Sequence, residues 1–188
     1  PEGVSIPNPM TLYGIDAHSG GQLVPAVDPP GGLALFYYHA DEASPNVKPG
    51  LMLRRFDTTT WKPFNEVFVE QQGDYGFAIA PGPVVAQKNA DGIGYAVTWR
   101  GPVENDGGYI TATWIRLIDA QGSPAGGSVE IDPPSAYPGT GATVAWSGAS
   151  FIVASNSRAC PGDDAACANR LTVSSLSKLG LTKTAAAA

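Results

Sequence analysis

The chain has 188 residues, of which 43% are hydrophobic, and it contains 23 glycines and 17 prolines. This composition is typical of a β-rich, turn-rich globular domain and disfavours both disorder and a largely helical fold. The formal net charge is −6 and no basic run exceeds the pair Arg54-Arg55, which argues against a nucleic-acid surface and against binding to anionic membranes. No apolar stretch is long enough to span a bilayer, and residues 1–9 lack the features of a signal peptide, so we expect a mature or trimmed chain.

In chain order, residues 1–21 form a predicted entry segment, rich in Pro, Gly and Ser, that adds a strand to a neighbouring sheet. A pattern then recurs about every 60 residues, a period that marks a repeat architecture. Each copy has a short apolar strand, a glycine-rich turn, a second strand, a polar loop and a longer β-branched strand. The predicted copies are 22–74, 83–132 and 142–184, and a low-complexity tail follows at 185–188.

A fourth strand is predicted in every copy. The candidate segments are 66–70, where apolar and acidic residues alternate, 128–131 and 181–184. No window shows a helical period with caps. The sequence therefore predicts an all-β fold of about three four-stranded antiparallel blades, a partial β-propeller spanning 22–184, with a β-sandwich as the alternative.

Two segments of the third copy carry a resemblance to a known class of proteins. Residues 143–154 pair an Ala-Trp-x-Gly hairpin with an apolar strand, and residues 171–180 form a later strand closing on Gly180. This pattern resembles the blade repeat of secreted bacterial β-propeller proteins, and the second copy matches through 94–99 and 115–122. The resemblance implies a fold and not a chemistry. Because three blades do not close an ordinary ring, it also implies further blades from a longer chain, from other copies, or a partner that covers the open faces.

The two cysteines, Cys160 and Cys167, flank a loop that contains Pro and Gly. We predict that they form a disulfide, which would stabilise the fold by roughly 2–3 kcal/mol. A zinc half-site and two free thiols are the alternatives. An oxidised pair would place the protein in the periplasm, on the cell surface or in the medium.

The sequence contains no recognisable catalytic constellation. There is no Gly-x-Ser-x-Gly motif, and Asp57 and Asp119, at matching positions after the third strands, are predicted to form Asx-type turns rather than a glycosidase pair. Asp and Asn at 105–108 and 162–164 leave calcium open as a cofactor, although turn chemistry explains them more simply. No other cofactor is predicted.

Two residues are candidate ligand contacts. Trp61, in the loop 60–63, could stack on a sugar ring, whereas Trp99, Trp114 and Trp146 are predicted to pack between blades. His39 ends an aromatic strand beside carboxylates, and a solvated loop histidine is the simpler interpretation of it.

These observations favour a non-enzymatic, exported protein-binding or assembly module whose partner is another protein or a further copy of itself. A carbohydrate-binding lectin module and a fragment of a propeller glycosidase are the alternatives.

Overall fold

The computed structural model describes residues 24–28, 32–39, 49–71, 80–86, 92–105, 108–135, 141–159, 168–177 and 180–185. Within these residues the chain forms twelve β-strands. The predicted entry segment, the cysteine loop and most of the predicted tail lie outside the described residues.

Each of three sheets contains four strands that follow one another in the chain. The first sheet contains β1 (Val24–Val27), β2 (Leu33–His39), β3 (Gly50–Phe56) and β4 (Pro63–Gln71). The second contains β5 (Ala80–Ala86), β6 (Ile93–Asn105), β7 (Gly108–Asp119) and β8 (Val129–Ser135). The third contains β9 (Gly141–Trp146), β10 (Phe151–Ala159), β11 (Ala168–Ser177) and β12 (Gly180–Ala185).

All neighbouring strands pair antiparallel, so every sheet is a meander of hairpins. The predicted all-β fold of three four-stranded blade-like sheets is confirmed. The alternative, a sandwich in which strands from different segments interleave into two layers, is wrong, because no sheet in the described part mixes strands of two segments.

The sheets stack in chain order and do not close on themselves, as expected for part of a propeller. β1 lies against β5, and β5 lies against β9, so the first strands of the three sheets are neighbours. First strands that line up in this way are the arrangement of blades around a common axis.

Two hydrophobic cores fill the spaces between the sheets. The second sheet contributes to both, because side chains alternate across a strand. In β6, Tyr95 and Val97 face the first sheet, whereas Ala96 faces the third. The first core also includes Phe36, Leu51, Leu53 and Val69, and the second includes Ile115, Leu117, Val144, Phe151, Val153 and Leu176.

Two glycines lie at matching positions in the first and second sheets. Gly32 and Gly94 both lie where the second strand of a sheet begins. A Cβ at Gly32 would lie 2.6 Å from the Phe56 carbonyl oxygen, and a Cβ at Gly94 would lie 2.7 Å from the Asp119 carbonyl oxygen. In both sheets the end of the third strand approaches too closely for any side chain at this position.

Among the described residues, no helix is long and apolar enough to cross a bilayer.

Candidate binding surface

The far face of the third sheet is open to solvent. Phe151 and Val153 of β10 and Leu176 of β11 point into the second core, so the alternate residues of these strands point away from the second sheet. Leu171 is 45% exposed, and Ile152, Ala154 and Val173 are half-buried. We call this surface the open face and define it by Thr143, Ala145, Ile152, Ala154, Asn156, Leu171, Val173 and Ser175.

Strand register arranges the open face in rows. Ala145, Ile152 and Ser175 lie side by side across β9, β10 and β11, and Thr143, Ala154 and Val173 form the next row. None of the residues that define the open face is charged. An uncharged surface with apolar residues on a regular sheet suits packing against another sheet.

The opposite end of the stack differs from the open face. On the outer face of the first sheet, Tyr37 is only 1% exposed, and Leu35 and Met52 are also buried. Of the two end faces, the described residues therefore present an accessible uncharged surface on the third sheet alone.

A charged cluster also lies on the outer face of the first sheet. The Tyr37 hydroxyl donates to Glu66 Oε1 at 2.5 Å, and Arg54 Nη2 donates to both carboxylate oxygens of Glu66 at 2.7 and 2.8 Å. Burial, with the hydrogen bond to Glu66, raises the pKa of Tyr37. Partial burial pushes the pKa of Glu66 upward, but hydrogen bonds from Arg54 and Tyr37 outweigh it and hold that pKa below its ordinary value.

His39, a predicted ligand contact, ends β2 beside this cluster. It is half-buried, and its charged form would lower the pKa of Glu66. Its Nδ1 atom is buried and has no hydrogen-bond partner among the described residues. The carboxylates at 41 and 42, which motivated the prediction, lie outside those residues.

Trp61, the second predicted contact, lies in the turn between β3 and β4. It is half-buried and has φ 54°, a left-handed conformation that is unusual for a tryptophan. Its amide donates to the Asp57 carbonyl at 2.7 Å, which closes the turn. Phe64, 56% exposed, follows at the start of β4.

The structure does not bring Trp61 and His39 together. His39 pairs with Gly50 at one end of β3, and Trp61 follows Phe56 at the other end. Seven residues of strand correspond to about 20 Å. The two residues therefore belong to different surfaces, too far apart for one small ligand.

The remaining predicted tryptophan positions are confirmed as packing residues. Trp99 is buried in the first core, and Trp114 packs against the same core. Trp146 packs against the second core, with its ring centroid 4.8 Å from that of Phe151.

The two matching aspartates form turns, as predicted. Asp57 Oδ1 accepts hydrogen bonds from the amides of Thr59 at 2.8 Å and Thr60 at 2.7 Å, and these bonds lower the pKa of Asp57. Asp119 Oδ1 accepts from the amides of Gln121 at 2.9 Å and Ser123 at 2.8 Å. Their side chains thus shape the links between third and fourth strands.

Sequence reasoning missed a buried polar cluster between the first and second sheets. Arg55 Nε lies 3.1 Å from both carboxylate oxygens of Asp28, and its Nη2 lies 2.9 Å from Oδ1. The Tyr95 hydroxyl, from the second sheet, also donates to Asp28 Oδ1. Arg55 Nη1 donates to the Gln121 carbonyl at 2.6 Å, again across the interface.

This Asp28–Arg55–Tyr95 cluster is closed to solvent. Asp28 is 1% exposed and Arg55 is 4% exposed, and burial, with the hydrogen bond to Asp28, raises the pKa of Tyr95. Its polar groups bond to one another rather than facing a cleft. The cluster therefore fixes the first sheet against the second and is not a candidate ligand site.

A second contact joins the same two sheets near their outer strands. Arg116 of β7 donates to the Val69 carbonyl and, at 3.1 Å, to the Glu70 carboxylate of β4. Ser128 also donates to Glu70. The interface between the second and third sheets instead buries two serine hydroxyls, Ser155 and Ser174, that have no hydrogen-bond partner among the described residues.

Within the described part of the chain, no three His, Cys, Asp or Glu side chains are grouped so that they could hold a metal ion. The candidate calcium segments at 105–108 and 162–164, and the predicted disulfide between Cys160 and Cys167, lie partly or wholly outside the described residues.

Comparison of the chain with models of known protein families, with curated proteins and with solved structures found no match.

Proposed function

We propose that this chain is a non-enzymatic, exported binding or assembly module that docks a partner protein through the open face of its third sheet. The observation that carries the proposal is the contrast between the two ends of the stack. The outer face of the first sheet is buried at Tyr37, whereas Leu171, on the open face, is 45% exposed.

The open face has the properties of a surface that another sheet could cover. Sheets pack at about 10 Å through interdigitating side chains, and this packing requires residues that need not stay hydrated. Ile152, Ala154 and Val173 supply apolar contact, and the alanines leave room for larger side chains opposite. The second and third sheets already pack in this manner through Ala96, Val153 and Phe151.

Export is supported by the sequence alone. Cys160 and Cys167 are close enough in the chain to form a disulfide, and such bonds persist in oxidising compartments. Mass spectrometry of the native protein without reductant should find the two residues linked. Alkylation of both thiols in freshly isolated protein would contradict export.

Site-specific photo-crosslinking tests the docking surface. A photoreactive phenylalanine analogue replaces Ile152 on the open face or, as the matched control, the exposed Thr59 in the β3–β4 turn. We expect a crosslinked product from position 152 only. Where that product joins the chain to a different protein, excess wild-type chain should suppress it and the Ile152→Arg chain should not. Equal crosslinking from both positions, or a product with a different protein that wild-type chain does not suppress, would refute the proposal.

A carbohydrate-binding function is a second candidate because aromatic side chains cluster at the β3–β4 turn. Trp61 is half-buried and Phe64 is exposed, and exposed aromatic rings are suitable platforms for sugars. A glycan array should then show signal that Trp61→Ala abolishes and Phe64→Ala weakens. An array without signal would remove this candidate.

A further inference from the structure

We propose that residues 10–15 of this chain cover the outer face of the first sheet, so that the chain closes one end of its own stack. The proposal is independent of the docking function, because it concerns the opposite end of the molecule. It rests on three side chains of that face, Leu35, Tyr37 and Met52, and on the sequence of the segment that precedes β1.

These three side chains are buried without a cover among the described strands. They are 9%, 1% and 6% exposed, and none of them belongs to either described core. Tyr37 and Met52 lie side by side in the strand register, on the face that points away from the second sheet. Outside the first sheet, β5 is the described strand that packs closely on β1 and β2, and it belongs to the second sheet. The cover therefore comes from residues outside the described part of the chain.

The chain enters the first sheet beside this face. β1 begins at Val24, which pairs with Phe36, the residue before Tyr37. The link between residues 10–15 and β1 can span up to about 30 Å, whereas a face of four strands of this length is about 14 Å wide and about 23 Å long. Residues 10–15 can therefore reach every part of the face.

The composition of residues 10–15 suits an apolar face. The segment reads Met-Thr-Leu-Tyr-Gly-Ile and carries no charge, so its burial leaves no ion without a partner. The loop 40–48 also joins the first sheet, but it contains two acidic residues and a lysine, which are rarely buried unless they are paired. Residues 72–79 include apolar side chains as well, but they connect β4 to β5, on the other side of the first sheet.

A cover of this kind protects the molecule from unwanted association. A bare sheet face with leucine, tyrosine and methionine side chains would attract other apolar surfaces, and the terminal units of stacked architectures need a protected outer side to stay soluble. Because the segment is tethered to β1, its effective concentration at the face exceeds that of a separate partner.

Methionine oxidation tests the cover in the full chain. Dilute hydrogen peroxide oxidises accessible methionines, and peptide mass spectrometry follows Met52 separately from Met10, the other methionine of the sequence. In an extended segment Leu12 and Tyr13 point to opposite sides, so the double variant Leu12→Asp/Tyr13→Asp places a charge against the face whichever side is inward. We expect Met52 to be oxidised about tenfold faster in this variant than in the wild type.

Val47→Asp, in the loop 40–48, is the matched control and should leave the oxidation rate of Met52 unchanged. Circular dichroism of each variant establishes that it is folded.

Photo-crosslinking tests the proximity directly. A photoreactive phenylalanine analogue replaces Leu12 in one chain and Tyr13 in another, and mass spectrometry after proteolysis locates the crosslink. We expect at least one of the two positions to crosslink to β2 or β3 of the same chain, whereas the analogue at position 152 should not. If the double variant fails to fold, these crosslinks alone decide.

Equal oxidation of Met52 in the wild type and in the folded double variant would overturn the proposal. So would faster oxidation in Val47→Asp alone, which would assign the cover to the loop 40–48. Crosslinks from positions 12 and 13 only to an edge strand would show that the segment adds a strand to a sheet, as predicted for an entry segment, and does not lie across the face. None of these results affects the docking test at position 152.

Discussion

Replacing Arg55 by methionine should destabilise the protein strongly, although methionine keeps an apolar side chain of similar length at this position. The substitution leaves the Asp28 carboxylate, 1% exposed, with the Tyr95 hydroxyl but without its countercharge. Breaking a buried ion pair by removing one partner costs about 3–5 kcal/mol. Since small proteins have about 5–15 kcal/mol of total stability, Arg55→Met should lose a large share of it.

The neighbouring Arg54 provides a matched control. It lies in the same strand on the opposite face; its side chain is 13% exposed and that of its partner Glu66 is 38% exposed, against 5% and 1% for Arg55 and Asp28. Water reaches this pair more easily, so Arg54→Met should cost less than Arg55→Met.

Urea unfolding monitored by tryptophan fluorescence measures both variants, and the transition midpoint reports the loss at constant slope. The double variant Asp28→Leu/Arg55→Met should recover most of the stability, because it removes both charges together. If Arg55→Met costs no more than Arg54→Met, or if the double variant is no better than Arg55→Met, the cluster does not stabilise the interface as argued.

Three further predictions concern protonation, packing and an unpaired hydroxyl. Burial raises the pKa of Tyr37, Tyr38 and Tyr95, so the folded state holds these protons more tightly than the unfolded state. The contribution of these tyrosines to stability should be constant from neutral pH to about pH 10 and should fall above it by up to about 1.4 kcal/mol per pH unit for each tyrosine that stays protonated in the folded state, as urea unfolding at increasing pH would show. Gly32→Ala should lower the thermal midpoint by several degrees, because its Cβ would lie 2.6 Å from a backbone carbonyl, whereas Gly127→Ala, with no atom within 4 Å, should not. Ser174→Ala should raise the free energy of unfolding by about 1 kcal/mol, because it removes a buried hydroxyl without a partner.

Each of these three predictions has a clear contrary result. An alkaline slope that Tyr95→Phe leaves unchanged would show that this tyrosine does not titrate with unfolding. Equal thermal midpoints for the two alanine variants would show that the backbone at Gly32 relaxes freely. A marked loss of stability in Ser174→Ala would show that a bound water satisfies the hydroxyl.

The repeated strand pattern made the architecture accessible from the sequence. The period-two pattern and the β-branched and aromatic residues of 93–99 and 109–118 predicted strands, and the turn residues between them predicted a hairpin connection. The same alternation correctly placed Trp99 and Trp146 between sheets. The neighbouring residues were sufficient to predict the turns at Asp57 and Asp119, because an Asx turn forms within a few residues of its aspartate.

The buried cluster could not be recognised in the same way. Asp28 and Arg55 lie 27 residues apart, and Tyr95 lies a further 40 residues along the chain. Their contact depends on how two sheets stack, which no local pattern determines. One signal was present, since Arg55 continues the buried series Leu51, Leu53 in a period-two strand, and a charge at such a position requires a partner.

The open face also could not be predicted from the sequence. The pattern showed that three blades leave two uncovered ends, but it could not show that Tyr37 at one end is buried while Leu171 at the other end is exposed. That difference depends on the packing of the whole chain around each sheet.

The meander connectivity has a consequence for biosynthesis. Every strand pairs with a strand that is adjacent in the chain, so each sheet can complete its backbone hydrogen bonds as soon as its own segment has left the ribosome. The second sheet can then pack against the completed first sheet, and the third sheet can pack against the second. Each interface between neighbouring sheets can therefore form as soon as the later of its two sheets has been synthesised.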